Sequence, residues 1–388
     1  MTSSEPFVFN WGIISTGQIA TKFVDDLLID PKTRSVDDVA HKIVAVGSRS
    51  TTKAQEFIDA RINGDKSVKA HGSYEEVFAD PVSTSELHSL CTPHTLHYPV
   101  ALAALRAGKH VLCEKPVTSN AAELRALLAA AREAGASHGK PVFFMEAMWT
   151  RFLPIAREVM KIVESGELGL PVAVHADLSG DFQIENLPKT HRILDPHLGG
   201  GALLDLGPYP LVWAIMLLYE HPANASARPS RITGSMIKTP RTGVDVTSAF
   251  TLTFSPSTLP GAEAASQAAL NAQAHLTCSA VTHTLDPGAT LRFQHGLIHL
   301  TSPIFRPQSF TLEHQDARGL VVSKEERKAD YVGGGWHFQA DEVARCVRDG
   351  KTESALWSHD KSLLEMEIFD EVRKQGEYKF PAGVEHVQ

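Results

Sequence analysis

The chain has 388 residues, of which 43% are hydrophobic, and its formal net charge is −8. This length allows a large core and favours two domains over one, while the acidic balance and the lack of a Lys/Arg-rich run argue against a nucleic-acid partner. The 4 cysteines are scattered without a C-x-x-C pair, so the sequence predicts neither a zinc site nor a disulfide framework.

The start of the chain does not resemble a targeting segment. Residues 1–9 lack the basic start and apolar core of a signal peptide. Because no run approaches about 18 continuous apolar residues, we expect no membrane span. The nearest histidine pair, His94 and His97, does not have the spacing of a metal site, so no metal is predicted. We therefore expect a cytoplasmic protein with reduced thiols.

The first strand and helix are predicted on either side of a short turn. Phe9–Ile14 is apolar and bounded, as a buried parallel strand is, and the spacing of Ile19, Phe23 and Leu27 predicts that they share one face of the following helix. A turn in this context presents backbone amides to a pyrophosphate. The predicted cofactor ligands here are Ser15, Thr16, Gly17, Gln18 and Ile19. The usual G-x-G-x-x-G/A reads S-x-G-x-x-A, so the pattern also fits an ordinary strand-to-helix corner.

The end of the second predicted strand, residues 41–48, favours NADP over NAD. An acidic residue at this point would accept hydrogen bonds from the ribose hydroxyls of NAD. This chain instead has Ser48 and Arg49, a hydroxyl and a charged fork that suit a 2′-phosphate. The alternative is that Arg49 is a solvated loop residue.

Strands and helices alternate through the rest of residues 1–147. Further strands are predicted at Leu87–Cys91, His110–Cys113 and Val142–Met145, and a helix that starts after Asn120 is predicted to end at Gly135. This alternation predicts a doubly wound parallel sheet, a Rossmann domain. Glu114 and Lys115 follow a buried strand at its carboxyl end, where open parallel sheets bind ligands.

Residues 148–388 have a different pattern. Strand-like runs without intervening helices, from Val172 to Leu312, predict an open and largely antiparallel sheet. Thr247–Phe254 alternates, so one face of that strand is expected to be solvated or in an interface. Two helices are predicted near Phe338–Asp349 and Lys361–Gln375. Residues 255–271 are rich in Ala, Ser and Pro and are interpreted as an insertion without an assigned role.

Several motifs together resemble the glucose–fructose oxidoreductase and inositol dehydrogenase family. These are the turn at residues 12–20, the Thr92-Pro93-x-x-x-His97 segment and Glu114-Lys115-Pro116, the most specific of the three. Residues 146–152 and 199–210 resemble the branch that holds dimeric dihydrodiol dehydrogenase and the fungal NADP-dependent D-xylose 1-dehydrogenases. The resemblance is firm over about residues 9–215 and 330–375.

The chemistry expected from these residues is hydride transfer with a tyrosine as proton acceptor. A tyrosine has an ordinary pKa of about 10, and a nearby ammonium favours its phenolate. Lys115 would supply that charge and Tyr209 would accept the proton, as the resemblance also implies. Asp205, four residues before Tyr209, shares its helical face and could accept a bond from Lys115 or a substrate hydroxyl. Many relatives have histidine in place of Tyr209, and tyrosine points to the xylose and dihydrodiol branch.

Six further positions are predicted to line the site. Thr92, His97 and Glu114 are expected to contact the cofactor ribose or nicotinamide, although His97 could equally cap its own helix. Trp149, Arg151 and Arg192 are the predicted substrate contacts. Trp149 could instead fill the domain junction, and Arg192 could instead bind an acidic partner.

The expected function is NADP-dependent oxidation of an aldopyranose at C1 to the lactone, with D-xylose as the first choice. The alternatives are oxidation of trans-dihydrodiols with reduction of dicarbonyls, and a regulator that binds NADP without turnover. The expected assembly, implied by the resemblance, is a homodimer formed through the open sheet.

Overall fold

The computed structural model describes residues 5–80, 87–90, 93–255 and 270–387, with backbone alone at 87–90. The chain divides into two compact units. The first contains Met1–Trp149, Tyr331–Leu363 and Glu385–Gln388, and the second contains Thr150–Asp330 and Leu364–Val384. Thr92, Cys91 and most of the predicted insertion at 255–271 lie outside the described residues.

The first unit is built on a parallel sheet of six strands in the order β3-β2-β1-β4-β5-β6. Its strands are β1 (Phe7–Ile14), β2 (Val39–Gly47), β3 (Lys69–His71), β4 (Leu87–Leu90), β5 (Val111–Cys113) and β6 (Phe144–Glu146). Its helices are α1 (Gln18–Leu27), α2 (Thr51–Arg61), α3 (Tyr74–Ala79), α4 (His97–Arg106), α5 (Ala121–His138) and α9 (Trp336–Arg348). This order confirms the predicted Rossmann-like sheet.

Local sequence explains where these elements begin and end. β1 is apolar because it is buried on both faces, and Trp11 and Ile13 are fully buried. Asn120 caps α5, since its Oδ1 accepts the Glu123 amide at 2.8 Å. The predicted end of α5 at Gly135 is wrong. The helix continues to His138 and ends at Gly139, whose φ of 65° favours glycine.

The late helix α9 belongs to the first unit through a buried polar cluster. Arg34 donates to both carboxylate oxygens of Asp341 at 2.7 Å. His41 Nε2 lies 2.9 Å from the same carboxylate, and Trp11 Nε1 donates to His41 Nδ1 at 3.1 Å. Because Nδ1 accepts, the proton of a neutral His41 is on Nε2 and is donated to Asp341. The cluster thus links α9 to β1 and β2.

Replacing Asp341 by asparagine is expected to lower the free energy of unfolding by about 3 kcal/mol, because it leaves the buried Arg34 cation uncompensated. Burial raises the pKa of Asp341, but hydrogen bonds from Arg34 and His41 outweigh it and leave the pKa lowered. The stabilisation by Asp341 is therefore present above the unfolded pKa of about 4 and is lost as the pH falls through the folded pKa.

Urea unfolding followed by tryptophan fluorescence, at neutral pH and at about pH 3, measures this effect. The matched control is Asp349→Asn, which removes a half-exposed carboxylate paired with Arg348 and is expected to change the stability by less than about 0.5 kcal/mol. Equal losses in the two variants would contradict the assignment of Asp341 to a stabilising cluster.

The second unit is built on a sheet of eight strands in the order β14-β13-β12-β11-β7-β10-β9-β8. Its strands are β7 (Pro171–Ser179), β8 (Arg231–Lys238), β9 (Asp245–Phe254), β10 (Ala272–Ser279), β11 (Ala289–Phe293), β12 (Gly296–Leu300), β13 (Ser309–Gln315) and β14 (Val321–Lys328). Its helices are α6 (Pro154–Ser165), α7 (Ala202–Leu206), α8 (Pro208–Ala214) and most of α10 (His359–Gln375). All neighbouring strands are antiparallel except β7 and β10, which confirms the predicted sheet type.

Among the residues that the structure describes, helices cover one face of this sheet and leave the other uncovered. β9 alternates between buried and half-buried residues, as predicted, and α7 and α8 pack on β9, β10 and β7. The helical run Pro196–Tyr219 is long and apolar enough to cross a membrane by length and composition, but its most apolar window is entirely buried in the unit. Burial of this kind is what a core helix shows.

Candidate active site

The turn after β1 contains a backbone conformation that favours glycine. Ser15 adopts a φ of 83°, in the region that favours glycine, at the position where the fingerprint normally has its first glycine. The Ser15 hydroxyl accepts the Gly17 amide at 3.3 Å, which compensates for that conformation. Gly17 is the N-cap of α1 and provides no side chain. The first amides of α1 therefore point out of the helix N-terminus, where an anion would bind.

The end of β2 lies beside this turn. Ser48 is buried, and its hydroxyl lies 3.2 Å from the hydroxyl of Thr16, so two of the predicted cofactor residues are brought together. Arg49 is exposed and makes no ion pair with any residue that the structure describes. Ser50 accepts the Lys53 amide and caps α2. A free guanidinium next to the turn suits a phosphate ligand.

Residues 114–120, which we call the lysine loop, connect β5 to α5. Lys115 is half-buried at its start. His97 Nδ1 lies 2.7 Å from the Pro116 carbonyl oxygen, and since a carbonyl only accepts, His97 donates. The Val117 amide donates to Glu146 Oε1 at 3.0 Å. The His97 side chain, from the start of α4, therefore contacts the loop that carries Lys115.

Glu114 is buried beside Lys115. Burial raises the pKa of its carboxyl to about 7, and the Lys115 ammonium opposes that shift. The carboxyl therefore titrates near neutral pH at the end of β5, where the sequence predicts the cofactor.

The second unit brings Arg192, Asp205 and Tyr209 into one neighbourhood. Gly207 joins α7 to α8 with right-handed helical dihedrals, so the two helices form one nearly continuous run. Asp205 and Tyr209 therefore share a face, as predicted. Arg192 Nη1 donates to Asp205 Oδ2 at 2.8 Å. Tyr209 is 9% exposed, and its ring centroid is 5.5 Å from that of Phe305.

Trp149 and Arg151 are both buried. Trp149 stacks on Trp336 with a centroid separation of 4.3 Å and an angle of 14°, within the first unit. Arg151 Nη2 donates to Glu220 Oε2 at 3.0 Å within the second unit. These contacts show how the two side chains are held, and their role as substrate contacts stays a prediction.

The two parts of the chain match known domain descriptions. Residues 9–139 match an oxidoreductase family with an NAD-binding Rossmann fold, and residues 156–298 match the GFO/IDH/MocA C-terminal domain. The chain belongs to the GFO/IDH/MocA oxidoreductase family. This membership confirms the resemblance seen in the sequence, the class of enzyme and the nicotinamide class of cofactor.

Curated relatives extend over nearly the whole chain. The D-xylose 1-dehydrogenase (NADP(+)) of Hypocrea jecorina is 36% identical over 393 residues, which cover 98% of this chain and 95% of the relative. The trans-1,2-dihydrobenzene-1,2-diol dehydrogenase of Bos taurus is 31% identical over 372 residues, which cover 96% of this chain and 98% of the relative. This GFO/IDH/MocA member thus aligns end to end with enzymes of two named activities.

Solved structures share the fold. An aldose-aldose oxidoreductase from Caulobacter crescentus complexed with glycerol has a TM-score of 0.73 at 21% identity, covering 95% of this chain and 97% of its own. A 3-ketoreductase from Actinomadura kijaniata in complex with NADP has a TM-score of 0.68 at 21% identity, and the match covers 96% of this chain and 98% of the ketoreductase. At 21% identity, this likeness shows that the chain shares the fold of these proteins.

Two supporting carboxylates of this family member were missed by the sequence analysis. Glu146 accepts Val117 N with one oxygen and Trp357 Nε1, at 3.1 Å, with the other. Its signal was available, since a carboxylate at the end of a buried strand needs partners. Asp26 accepts the amides of three residues at the start of α9, and nothing near it in sequence indicated this. They are Gly334, Gly335 and Trp336, at 2.7, 2.6 and 2.8 Å.

No group of three or more histidine, cysteine, aspartate or glutamate side chains that could hold a metal ion occurs within the described ranges. Thr92 lies outside those ranges, so its predicted cofactor contact stays a prediction.

Proposed function

We propose that this protein is an NADP-dependent dehydrogenase that oxidises the C1 hydroxyl of an aldopyranose to the lactone, with D-xylose as the first substrate. The observation that carries the proposal is the 36% identity to a D-xylose 1-dehydrogenase (NADP(+)) over 98% of the chain. Dihydrodiol dehydrogenase activity is the second candidate, because a relative with that name is 31% identical over 96% of the chain.

The residues present fit NADP. The glycine-capped N-terminus of α1 suits the pyrophosphate, and exposed Arg49 suits the 2′-phosphate. The proposed cofactor contacts comprise the turn, the end of β2 and the start of the lysine loop. They are Ser15, Thr16, Gly17, Gln18, Ile19, Ser48, Arg49, Thr92, His97, Glu114 and Lys115. When bound, NADP supplies the acceptor for the C1 hydride.

Side chains of the protein accept the proton that the substrate hydroxyl loses. In the proposal Tyr209 accepts the proton of the anomeric hydroxyl, and the Lys115 ammonium stabilises the phenolate and holds the hydroxyl. Asp205 is engaged by Arg192 at 2.8 Å, which supports a role for this ion pair in orienting the substrate rather than in accepting the proton. Trp149 and Arg151 complete the proposed substrate residues.

A substrate panel followed by NADPH absorbance tests this function. It compares D-xylose, other aldoses and a trans-dihydrodiol with NADP, and a dicarbonyl with NADPH. The expected result is the highest kcat/KM for D-xylose. Preference for the diol would favour the second candidate. If every substrate fails while NADP still binds, the protein is a regulator without turnover.

Arg49→Asp is expected to raise the KM for NADP about 100-fold, because a charge-assisted contact is replaced by repulsion of the phosphate. The KM for NAD is expected to change little, so the cofactor preference moves to NAD. The matched control is Arg61→Asp, a half-exposed arginine in the last turn of α2. An unchanged affinity for NADP in Arg49→Asp would show that the phosphate binds elsewhere.

We also propose a cytoplasmic homodimer formed through the uncovered face of the second sheet. A groove of about 840 Å³ on that face is lined by polar residues of neighbouring strands, among them Asp177 and Thr277. His175 and His275 stack there at 4.8 Å between centroids. Sedimentation of the purified chain tests the dimer.

A further inference from the structure

The lysine loop is fixed at several points along its length. Beyond Lys115, the residues from Pro116 to Asn120 are all buried. His97 fixes Pro116 and Glu146 fixes Val117, as described above. The Ser119 amide donates to Glu123 Oε2 at 2.9 Å, and Asn120 caps α5. The start of the loop and its end are therefore held by different side chains.

Residues 385–387, which lie far from the loop in sequence, form hydrogen bonds with Asn120 at the end of the loop and with Glu123 in the first turn of α5. The His386 amide donates to Glu123 Oε1 at 2.7 Å. Asn120 Nδ2 donates to the Val387 carbonyl oxygen at 2.8 Å and to Glu385 Oε1 at 3.1 Å. The His386 ring stacks on Tyr98, with 5.6 Å between centroids. These contacts all lie within the first unit.

The Glu123 carboxylate is the link between the two segments. It is fully buried, and each of its oxygens accepts one backbone amide, from Ser119 in the loop and from His386. A buried carboxylate is costly unless its oxygens are hydrogen-bonded. Loss of the His386 amide would leave one oxygen unsatisfied, and Glu123 would then reorient away from Ser119 or admit water. Either change loosens the end of the lysine loop, at Ser119 and Asn120, which lie within five residues of Lys115 in sequence.

We propose that residues 385–387 are a positioning element that holds Lys115 in place for the proton-transfer step through Glu123 and the lysine loop. The inference rests on the proposed function for its kinetic part, whereas the effect on the loop itself does not. It predicts that a backbone donor more than 260 residues away in sequence from the loop affects kcat without touching substrate or cofactor.

A matched pair of variants tests the inference. His386→Pro removes the amide donor to Glu123, while His386→Ala keeps the donor and removes only the ring that stacks on Tyr98. His386→Pro is expected to lower kcat about tenfold, the value of one charge-assisted hydrogen bond, with the KM for NADP within about twofold of the wild type. His386→Ala is expected to retain most of the wild-type kcat.

Amide hydrogen exchange provides the readout that a general loss of stability would not reproduce. In His386→Pro, peptides covering residues 114–120 are expected to exchange faster, while β1 and β2 keep wild-type protection. Wild-type kcat and exchange in His386→Pro would overturn the proposal. Faster exchange throughout the first unit would overturn it as well, since that result describes a structural role.

A deletion of residues 385–388 is the second variant if His386→Pro does not fold. It leaves the Asn120 cap of α5 intact and is expected to give the same local exchange and the same loss of kcat. Exchange in residues 114–120 needs no substrate. If the wild type turns over no sugar or diol, the proposed function fails, and the exchange result still decides whether residues 385–387 hold the loop.

Discussion

Replacing Lys115 by methionine is expected to lower kcat about 1000-fold and to raise the KM for NADP far less, because Lys115 is only one of many proposed cofactor contacts. Methionine has a similar length and no charge, so the variant removes the ammonium and keeps the volume. In the proposed reaction that ammonium stabilises the phenolate and the developing alkoxide, and both effects arise in the transition state. Steady-state kinetics with D-xylose and NADP, together with calorimetric NADP binding, measure the two quantities separately.

The control for Lys115 is Lys161→Met, at an exposed position of α6 whose side chain is 73% accessible. It is expected to behave as the wild type. Lys115→Arg keeps the positive charge but places it on a planar guanidinium. If the electrostatic effect of the charge dominates, the kcat of Lys115→Arg should lie well above that of Lys115→Met. If the exact position of the nitrogen dominates, the two variants should have a similar kcat. A kcat for Lys115→Met within about tenfold of the wild type would exclude Lys115 from the chemical step.

Tyr209→Phe is expected to leave NADP binding intact and to lower kcat about 1000-fold, because it removes one oxygen, the proposed proton acceptor. Tyr209 is 9% exposed and packs on Phe305, so phenylalanine should keep that packing. The control is Tyr219→Phe, which removes a hydroxyl from a buried tyrosine of the same helical run. Equal turnover in Tyr209→Phe and the wild type would assign the proton transfer to another group.

The double variant Lys115→Met/Tyr209→Phe separates joint from independent action. Groups that act as one catalytic unit give strongly non-additive losses, because either substitution already abolishes the shared step. We therefore expect the double variant to be about as slow as the slower single variant. Losses that multiply would indicate that Lys115 and Tyr209 contribute to different steps.

Most elements of the fold were predictable where a single pattern dominated. Short apolar runs separated by amphipathic helices indicated the parallel sheet, and the alternation of β9 indicated a half-covered strand. β14 was missed because its eight residues are nearly all exposed and charged or polar, so they show no hydrophobic period. Charged residues on an edge strand instead protect it from pairing with other chains.

The candidate site could be proposed residue by residue where its members lie close together in sequence. The fingerprint turn, Arg49, the lysine loop and the Asp205–Tyr209 pair are each set by local order and helical spacing. The missing fingerprint glycine is explained only by the structure, in which the Ser15 hydroxyl accepts the Gly17 amide at a positive φ. The partner of Asp205, Arg192, could be named from sequence as a site residue but not as its ion-pair partner.

The amino-acid sequence alone was enough to predict the family and the Rossmann-like and antiparallel sheets, because spacing along a strand or helix sets which side chains share a face. The same spacing is the basis for proposing which residues carry the chemistry. The folded structure was needed to show how distant segments of the first unit are joined: Arg34 pairs with Asp341, Asp26 accepts the amides at the start of α9, and Glu123 accepts the amide of His386. Each is a buried charge or amide whose partner is hundreds of residues away. Burial makes such partners necessary, but no local pattern says which they are.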